Sequence, residues 1–122
     1  MFGSFKKRTA RLQPEARWIV EAASDQLRVT DPAGTVQTLA KAELRGVAIE
    51  TNDTGPWGAD VWWLLFGADD HVACAYPQGA TGENVMLDYL SALPGFDFAA
   101  MSAAMGSADN ALFPVWRKND AR

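Results

Sequence analysis

The stretch 52–66, with the sequence NDTGPWGADVWWLLF, decides the fold because a Gly-rich turn leads directly into a wholly apolar strand. Every residue at positions 61–66 is apolar. Such a run is typical of a strand covered on both faces, or of one with one face on the core and the other against a helix. Upstream, Val47, Ile49 and Thr51 alternate along one side of a preceding strand. The stretch therefore predicts neighbouring strands of an antiparallel sheet.

Short strands are also predicted on both sides of the stretch 52–66. Trp18, Val20 and Ala22 share one face of a first strand, and Leu27 and Val29 alternate in a second. The sequence DPAG at 31–34 is typical of a type I turn, and it leads into a third strand at 35–40. A turn at 67–70 leads into a sixth strand at 71–76. Six strands with short connections predict an antiparallel meander, as a bent sheet or a partly open barrel.

Two helices and a last strand follow the meander. Thr81 is the predicted N-cap of the first helix, whose residues Met86, Tyr89, Leu90 and Leu93 form one apolar stripe. Asp97 is the predicted N-cap of the second, which Gly106 ends. The final stretch 112–116 alternates as a strand, and Pro114 confines it to a sheet edge. The predicted fold class is α+β.

Size and charge define the domain organisation. The 122 residues fit one domain, which we place at 14–118 between a mobile basic arm at 1–13 and a tail at 119–122. No Lys or Arg lies between Arg45 and Arg117, whereas nine acidic residues do. A surface built from this stretch repels phosphate, so no nucleic-acid partner is expected for the body of the domain.

Two further features concern the location of the protein. No apolar run approaches the roughly 20 residues of a membrane helix, so we expect no integral membrane segment. The N-terminus lacks the apolar region of a secretory signal, and the one cysteine, Cys74, cannot form an internal disulfide. Both observations favour a cytoplasmic protein.

The turn NDTGPWGAD at 52–60 is the main candidate site. Gly55 and Gly58 allow a sharp bend that holds Trp57 outward between Asp53 and Asp60, and Trp62 follows in the strand. An exposed aromatic group flanked by acids suits a basic protein or peptide. Alternatively, Trp57 folds back over an open end of the sheet and the acids only solvate the turn. The turn lacks the ligand spacing of a calcium loop, and we predict neither a metal nor a cofactor.

Other motifs have simpler structural interpretations. Asp69, Asp70 and His71 could supply a general base, but the same residues suit a hairpin turn. Cys74 falls on the opposite strand face from His71 and is expected to be a buried small hydrophobe. The loop 77–84, PQGATGEN, has the design of an anion site at a helix start but lacks the lysine of a Walker loop. A plain strand-to-helix connection is the alternative.

The motifs IETNDTGP, PQGATGE and LPGFD carry a resemblance that spans about residues 16–118. In these motifs the chain resembles a group of small bacterial proteins of unassigned function. More remotely, strands followed by a helix are similar to bacterial pleckstrin-homology-like domains. That resemblance implies a bent barrel capped by a helix, which binds lipid headgroups or peptides. Because the first hairpin offers Ala23, Ser24 and Asp25 with Arg28 as its one cation, peptide or protein binding is the expectation.

Three functional hypotheses follow from these patterns. The leading one is a non-enzymatic binding domain with an acidic, Trp-bearing surface for a basic partner. The second is a homodimer closed by the edge strand 112–116 and the Trp62/Trp63 pair, with the basic arm on the neighbour's acidic face. The third is a hydrolase-like enzyme that uses Asp60, Asp69 or Asp70 with His71.

Overall fold

The computed structural model describes residues 14–55, 58–107 and 109–118. Two antiparallel sheets and two helices make up this part of the chain, which confirms the α+β class. The predicted arm at 1–13 and the tail at 119–122 lie outside the described residues. The elements are β1 (Ile19–Ala22), β2 (Gln26–Thr30), β3 (Val36–Ala40), β4 (Gly46–Gly55), β5 (Gly58–Phe66), β6 (Val72–Pro77), α1 (Glu83–Ser91), α2 (Phe98–Met105) and β7 (Ala111–Arg117).

The smaller sheet has the strand order β1-β2-β3, in which alternate residues face the core as predicted. Leu27 and Val29 of β2 are buried, whereas Arg28 between them is exposed. The predicted turn at 31–34 is confirmed, because the N–H of Gly34 donates to the Asp31 carbonyl oxygen at 2.9 Å. The Asp31 carboxylate accepts from the N–H groups of Ala33 and Thr35, and these two hydrogen bonds stabilise the turn.

The larger sheet has the order β6-β5-β4-β7. The last strand, β7, returns to pair with β4 and forms one edge of this sheet, as Pro114 predicts. The six strands of the predicted meander are thus divided between two sheets, which do not join into a closed barrel within the described ranges. A short helical turn, Lys41–Glu43, separates β3 from β4. The Gln37 side chain on β3 nevertheless accepts from the Ala75 N–H on β6 at 3.2 Å.

The core lies between the inner faces of the two sheets and the helices. Helix α1 packs on β1, and α2 packs on β7 and β4. Met86 and Leu90 of α1 and Ala104 of α2 belong to the same buried cluster as Val47 and Ile49 of β4, so both helices lie on that side of the larger sheet. The core includes Val20, Leu27, Val29, Leu44, Val47, Ile49, Trp63, Leu65, Tyr76, Met86, Leu90, Phe96, Ala104 and Val115.

The first helix begins differently from the prediction. Thr81 is not the N-cap: its hydroxyl donates to the Ala16 carbonyl at 2.7 Å, and its own carbonyl accepts from the Val20 N–H. The cap residue is Gly82, in the left-handed region at φ +91°. A Cβ at this position would overlap the Val20 carbonyl oxygen, so the contact with β1 requires glycine.

The second helix begins as predicted. The Asp97 carboxylate accepts from the Ala100 N–H at 2.9 Å, which is N-cap geometry. The preceding Phe96 is buried and packs edge-on against Phe98, with ring centroids 4.9 Å apart. Helices α1 and α2 have nine and eight residues. No helix of the described ranges has the length and apolar character that a bilayer crossing requires.

Candidate functional site

One face of the larger sheet points away from the helices, and we call it the outer face. It follows from strand alternation: Val47, Ile49 and Thr51 of β4 are buried, so Gly46, Ala48 and Glu50 point to the opposite side. Cross-strand pairing then assigns the neighbours on the same side. The outer face comprises Gly46, Ala48 and Glu50; Trp62, Leu64 and Phe66; Val72, Ala75 and Pro77; and Leu112, Pro114 and Arg117.

The outer face is largely apolar, and although Gly46, Ala48 and Pro77 are buried, other apolar side chains on it are open to solvent. Leu112 is 54% exposed and Val72 is 47% exposed, while Leu64 and Phe66 are half-buried. A groove of about 370 Å³ crosses this face over Ala48, Phe66, Leu112 and Pro114. The strand 58–66 therefore has one face on the core, as predicted, but its other face does not lie against a helix. An apolar patch of this kind is typical of a surface that binds another molecule.

Two tryptophans occupy opposite faces of β5. Trp63 is 4% exposed and stacks on Tyr76 within the core, at a centroid distance of 6.3 Å. Trp62 lies on the outer face, half-buried, and packs edge-on against Trp18 at 5.4 Å. Trp63 is therefore a core residue, which removes it from the predicted dimer contact. Trp62 and Trp18 extend the apolar surface towards β1.

The structure describes only part of the predicted binding site. Trp57 lies outside the described residues. Asp53 and Asp60 belong to β4 and β5, and their side chains also lie outside the description. Among the four predicted site residues, the structure thus places the Trp62 side chain on a candidate surface. The outward orientation of Trp57 stays a prediction.

A basic cluster lies at the end of the outer face where β4 begins and β7 ends. Arg45, Arg117 and Lys118 surround a groove of about 440 Å³ together with Asp69 and Asp70. The Arg117 guanidinium lies 3.7 Å from the Asp70 carboxylate, and both side chains are largely exposed. The Lys118 ammonium donates to the Ala42 carbonyl at 3.3 Å.

Sequence reasoning missed this basic cluster. Arg45 and Arg117 stand at the two limits of the cation-free stretch, 72 positions apart. They come together because the register pairs Gly46 with Arg117. A correct assignment of β7 to β4 is the signal that would have found the cluster.

The opposite end of the outer face is acidic. Glu50 is exposed there, between its cross-strand neighbours Trp62 and Leu112. Asp109, two residues before β7, is also exposed, but its carbonyl accepts from the buried Thr51 hydroxyl at 2.6 Å, on the inner side of β4. Asp53 and Asp60 continue β4 and β5 beyond this point in the sequence. Residues 14–118 carry 14 acidic and six basic side chains, and three of these six cations lie at the other end of the face, beside Asp69 and Asp70.

The acid–base candidates lie on a turn. Asp69, Asp70 and His71 are all exposed, and both aspartates have left-handed backbone at φ near 60°. These three residues thus have the positions that the hairpin-turn interpretation predicts. Cys74 is buried on the inner face of β6, and burial raises the pKa of its thiol to about 11. In the described part of the chain, no three His, Cys, Asp or Glu residues are grouped so that they could hold a metal ion.

The Gly-rich loop before α1 contacts a carboxylate of the same chain. The Gly79 N–H donates to the Glu83 carboxylate at 2.8 Å. A phosphate at this place would compete with an acidic side chain already bound there. The contact agrees with the interpretation of the loop as a plain strand-to-helix connection.

Comparisons with known proteins assign no family to this fold. No protein-family model matches the chain, and neither the curated proteins nor the solved structures yield a match.

Proposed function

We propose that this chain is a non-enzymatic binding domain that presents an acidic, Trp-bearing surface to a basic protein or peptide. The observation that carries the proposal is the outer face, where Trp62, Leu64, Phe66 and Leu112 stay partly or largely exposed while the helices lie on the other side. Burial of exposed apolar side chains is the main source of affinity for a protein partner. Aromatic side chains are enriched among the residues that contribute most.

The charge of the surface selects the partner. Glu50 lies at the end of the outer face that leads to Asp53, Trp57 and Asp60 in the sequence. The negative charge of this end repels acidic groups and attracts cations. It therefore favours a ligand with Lys or Arg next to apolar groups. Such binding should weaken with salt, because exposed charges are screened within about 8 Å at physiological ionic strength.

Two other functions have less support. An enzyme built on Asp69, Asp70 and His71 needs a site that shields these groups from water, whereas all three side chains lie exposed on a turn, with Asp69 and Asp70 at the basic groove. Lipid-headgroup binding through the first hairpin requires cations, yet Arg28 there is paired with Glu21 at 3.2 Å. The resemblance to bacterial pleckstrin-homology-like domains, itself a prediction, agrees with peptide binding. We also infer a cytoplasmic location from the single buried cysteine.

Selection from a random peptide library tests the proposal and requires no named partner. The full chain is immobilised at low ionic strength, and the sequences of the retained peptides are determined. We expect Lys and Arg beside aromatic or aliphatic residues. The selection is repeated with Glu50→Lys, with Trp57→Ala, and with Asp88→Lys as the control. Asp88→Lys makes the same charge change on the exposed side of α1.

The outcome separates a specific surface from general charge attraction. Glu50→Lys should lose the basic peptides, and Trp57→Ala should retain fewer of them, while Asp88→Lys retains the same set as the natural sequence. If the retained peptides are not basic, or if Glu50→Lys and Asp88→Lys behave alike, the proposal is wrong.

A further inference from the structure

The outer face of one chain carries both of the charges that a face-to-face complex needs. Glu50 lies at one end, and Arg45, Arg117 and Lys118 lie at the other beside Asp69 and Asp70, with apolar residues between the two ends. Glu50 lies four positions along β4 from Gly46, which is about 13 Å at 3.3 Å per residue. The basic surface that the acidic end requires is therefore present in the chain itself.

We infer that the partner of the outer face is a second copy of this chain, bound face to face with its strands reversed. The inference rests on the proposed function, since it gives the same face its partner. A two-fold axis across the strands near Ala48 places Gly46 of each copy opposite Glu50 of the other. Arg117, the neighbour of Gly46 in β7, then lies near the second copy's Glu50, and this contact occurs twice.

Electrostatics selects this arrangement over the other symmetric one. A two-fold axis parallel to the strands would place the basic end against the basic end and the acidic end against the acidic end. That arrangement would bring like charges together at both ends. At the centre, Ala48 is buried and its cross-strand neighbours Leu64 and Pro114 are partly or largely exposed, so these two side chains supply the apolar contact between the sheets. Two sheets packed in this way lie about 10 Å apart.

Pairing through the edge of β7, the contact that the sequence suggests, has an obstacle. The Val115 carbonyl accepts from the Asp97 N–H at 2.7 Å, and Pro114 has no N–H to donate. The Trp116 indole N–H also donates to the Pro94 carbonyl at 2.8 Å, which fixes the 94–97 loop beside the strand. A second β7 could not form a regular ladder along this edge without displacing that loop.

The size of the face sets the expected affinity. Four strands spaced by about 4.8 Å and about 13 Å of strand length give a face smaller than the roughly 800 Å² that each partner buries in a standard interface. We therefore expect a reversible dimer with a dissociation constant weaker than about 1 μM. The dimer fraction should rise with concentration and fall with salt.

Charge reversal at the two ends tests the geometry in the full chain. Sedimentation velocity over a concentration range gives the dissociation constants of the natural sequence, Glu50→Lys and Arg117→Glu. Each substitution replaces two attractive contacts by two repulsive ones, so each should weaken dimerisation about tenfold. A mixture of the two variants should restore it, because the two reversed charges then face each other in one contact while Glu50 faces Arg117 in the other. Asp88→Lys and Arg28→Glu, exposed positions outside the face, are the matched controls.

The possible results separate this inference from the proposed function. Restoration in the mixture, with unchanged controls, supports the reversed face-to-face dimer. A chain that is monomeric at millimolar concentration, or a dimer that neither substitution weakens, overturns the inference. Peptide selection can still succeed in either case, which leaves the proposed function standing with a different partner. Urea unfolding of each variant confirms that a loss of dimer is not a loss of fold.

Discussion

Gly82 shows how strongly a single position depends on a distant part of the chain. Its left-handed backbone costs other residues roughly 1–2 kcal/mol, and a Cβ would also overlap the Val20 carbonyl oxygen of β1. The overlap is with backbone, which cannot rotate away as a side chain can. We therefore expect Gly82→Ala to lower the free energy of unfolding in urea by clearly more than about 2 kcal/mol.

The chain offers matched controls for this substitution. Gly34 and Gly95 have similar backbone angles, φ +93° and φ +86°, and no atom lies within 4 Å of a Cβ built on either. Gly34→Ala and Gly95→Ala should therefore lose only about 1 kcal/mol each. If all three substitutions cost the same, the contact between Gly82 and Val20 does not constrain the fold.

Cys74 links burial to pH dependence. Burial raises the pKa of the thiol from 9.0 to about 11, so above pH 9 the unfolded chain loses this proton before the folded chain does. The contribution of the Cys74 thiol to the free energy of unfolding is thus fully present below pH 9, and it is lost as the pH rises towards 11. The free energy of unfolding should fall by up to about 1.4 kcal/mol per pH unit in this window.

Comparison with Cys74→Ala isolates the effect of the thiol on the pH dependence of stability. Urea unfolding of both chains between pH 7 and pH 10 measures the slope. Between pH 9 and pH 10 the variant should show a smaller slope, even though the lost side-chain atoms lower its stability at every pH. Burial also raises the pKa of Tyr76 and of Tyr89, so both chains should lose further stability above pH 10. Equal slopes below pH 10 would contradict the assignment.

These two residues also show what the sequence could reveal at this scale. The burial of Cys74 follows from strand alternation, a local pattern, and the structure confirms it. The cap at Gly82 does not follow from local pattern. Thr81 has the preferred residue type for an N-cap, but its hydroxyl bonds to Ala16, which is 65 residues away in the sequence. A contact between distant segments overrode the local preference.

At the scale of elements, α2 depends on its cap. It has eight residues, and isolated helices of that length are unstable in water. The Asp97 carboxylate satisfies the Ala100 N–H, and the Asp97 N–H bonds to the Val115 carbonyl. Asp97→Ala removes only the side-chain bond and should cost about 1 kcal/mol in urea unfolding, whereas Asp97→Asn should retain most of it. An Asn variant as unstable as the Ala variant would show that the carboxylate does not act as a cap.

Elements were more predictable than their pairing. Each predicted strand has a counterpart, because alternation and turn residues are local signals. The division into two sheets is not a local property, since it depends on which strands pair on either side of the short helical turn Lys41–Glu43. The pairing of β7 with β4 is equally remote, and it is this pairing that brings Arg117 beside Gly46. The outer face and its charged ends could therefore not be predicted from the sequence, and Trp62, a predicted site residue, lies on that face.

At the scale of the whole molecule, the two sheets share one core. Leu27 of the smaller sheet and Leu65 of the larger one are both fully buried, and both belong to the same cluster of apolar side chains. Neither sheet buries its apolar residues by itself, because each uses the other sheet and a helix as its cover: α1 packs on β1, and α2 packs on β7 and β4. The protein should therefore unfold in one cooperative step, despite the absence of a strand ladder between the sheets in the described part of the chain.

Two core substitutions test this cooperativity. Leu27→Ala and Leu65→Ala should each lower the free energy of unfolding by roughly 2–5 kcal/mol, the usual cost of a cavity at a buried leucine. Each should also lower the hydrogen-exchange protection of slowly exchanging amides in both sheets by the same amount, since these exchange only when the whole domain opens. The matched control is Leu112→Ala on the outer face, which should cost little because Leu112 is already 54% exposed. If Leu27→Ala deprotects β1–β3 and leaves β4–β7 unchanged, the sheets are separate folding units. The outer face would then depend on the larger sheet alone.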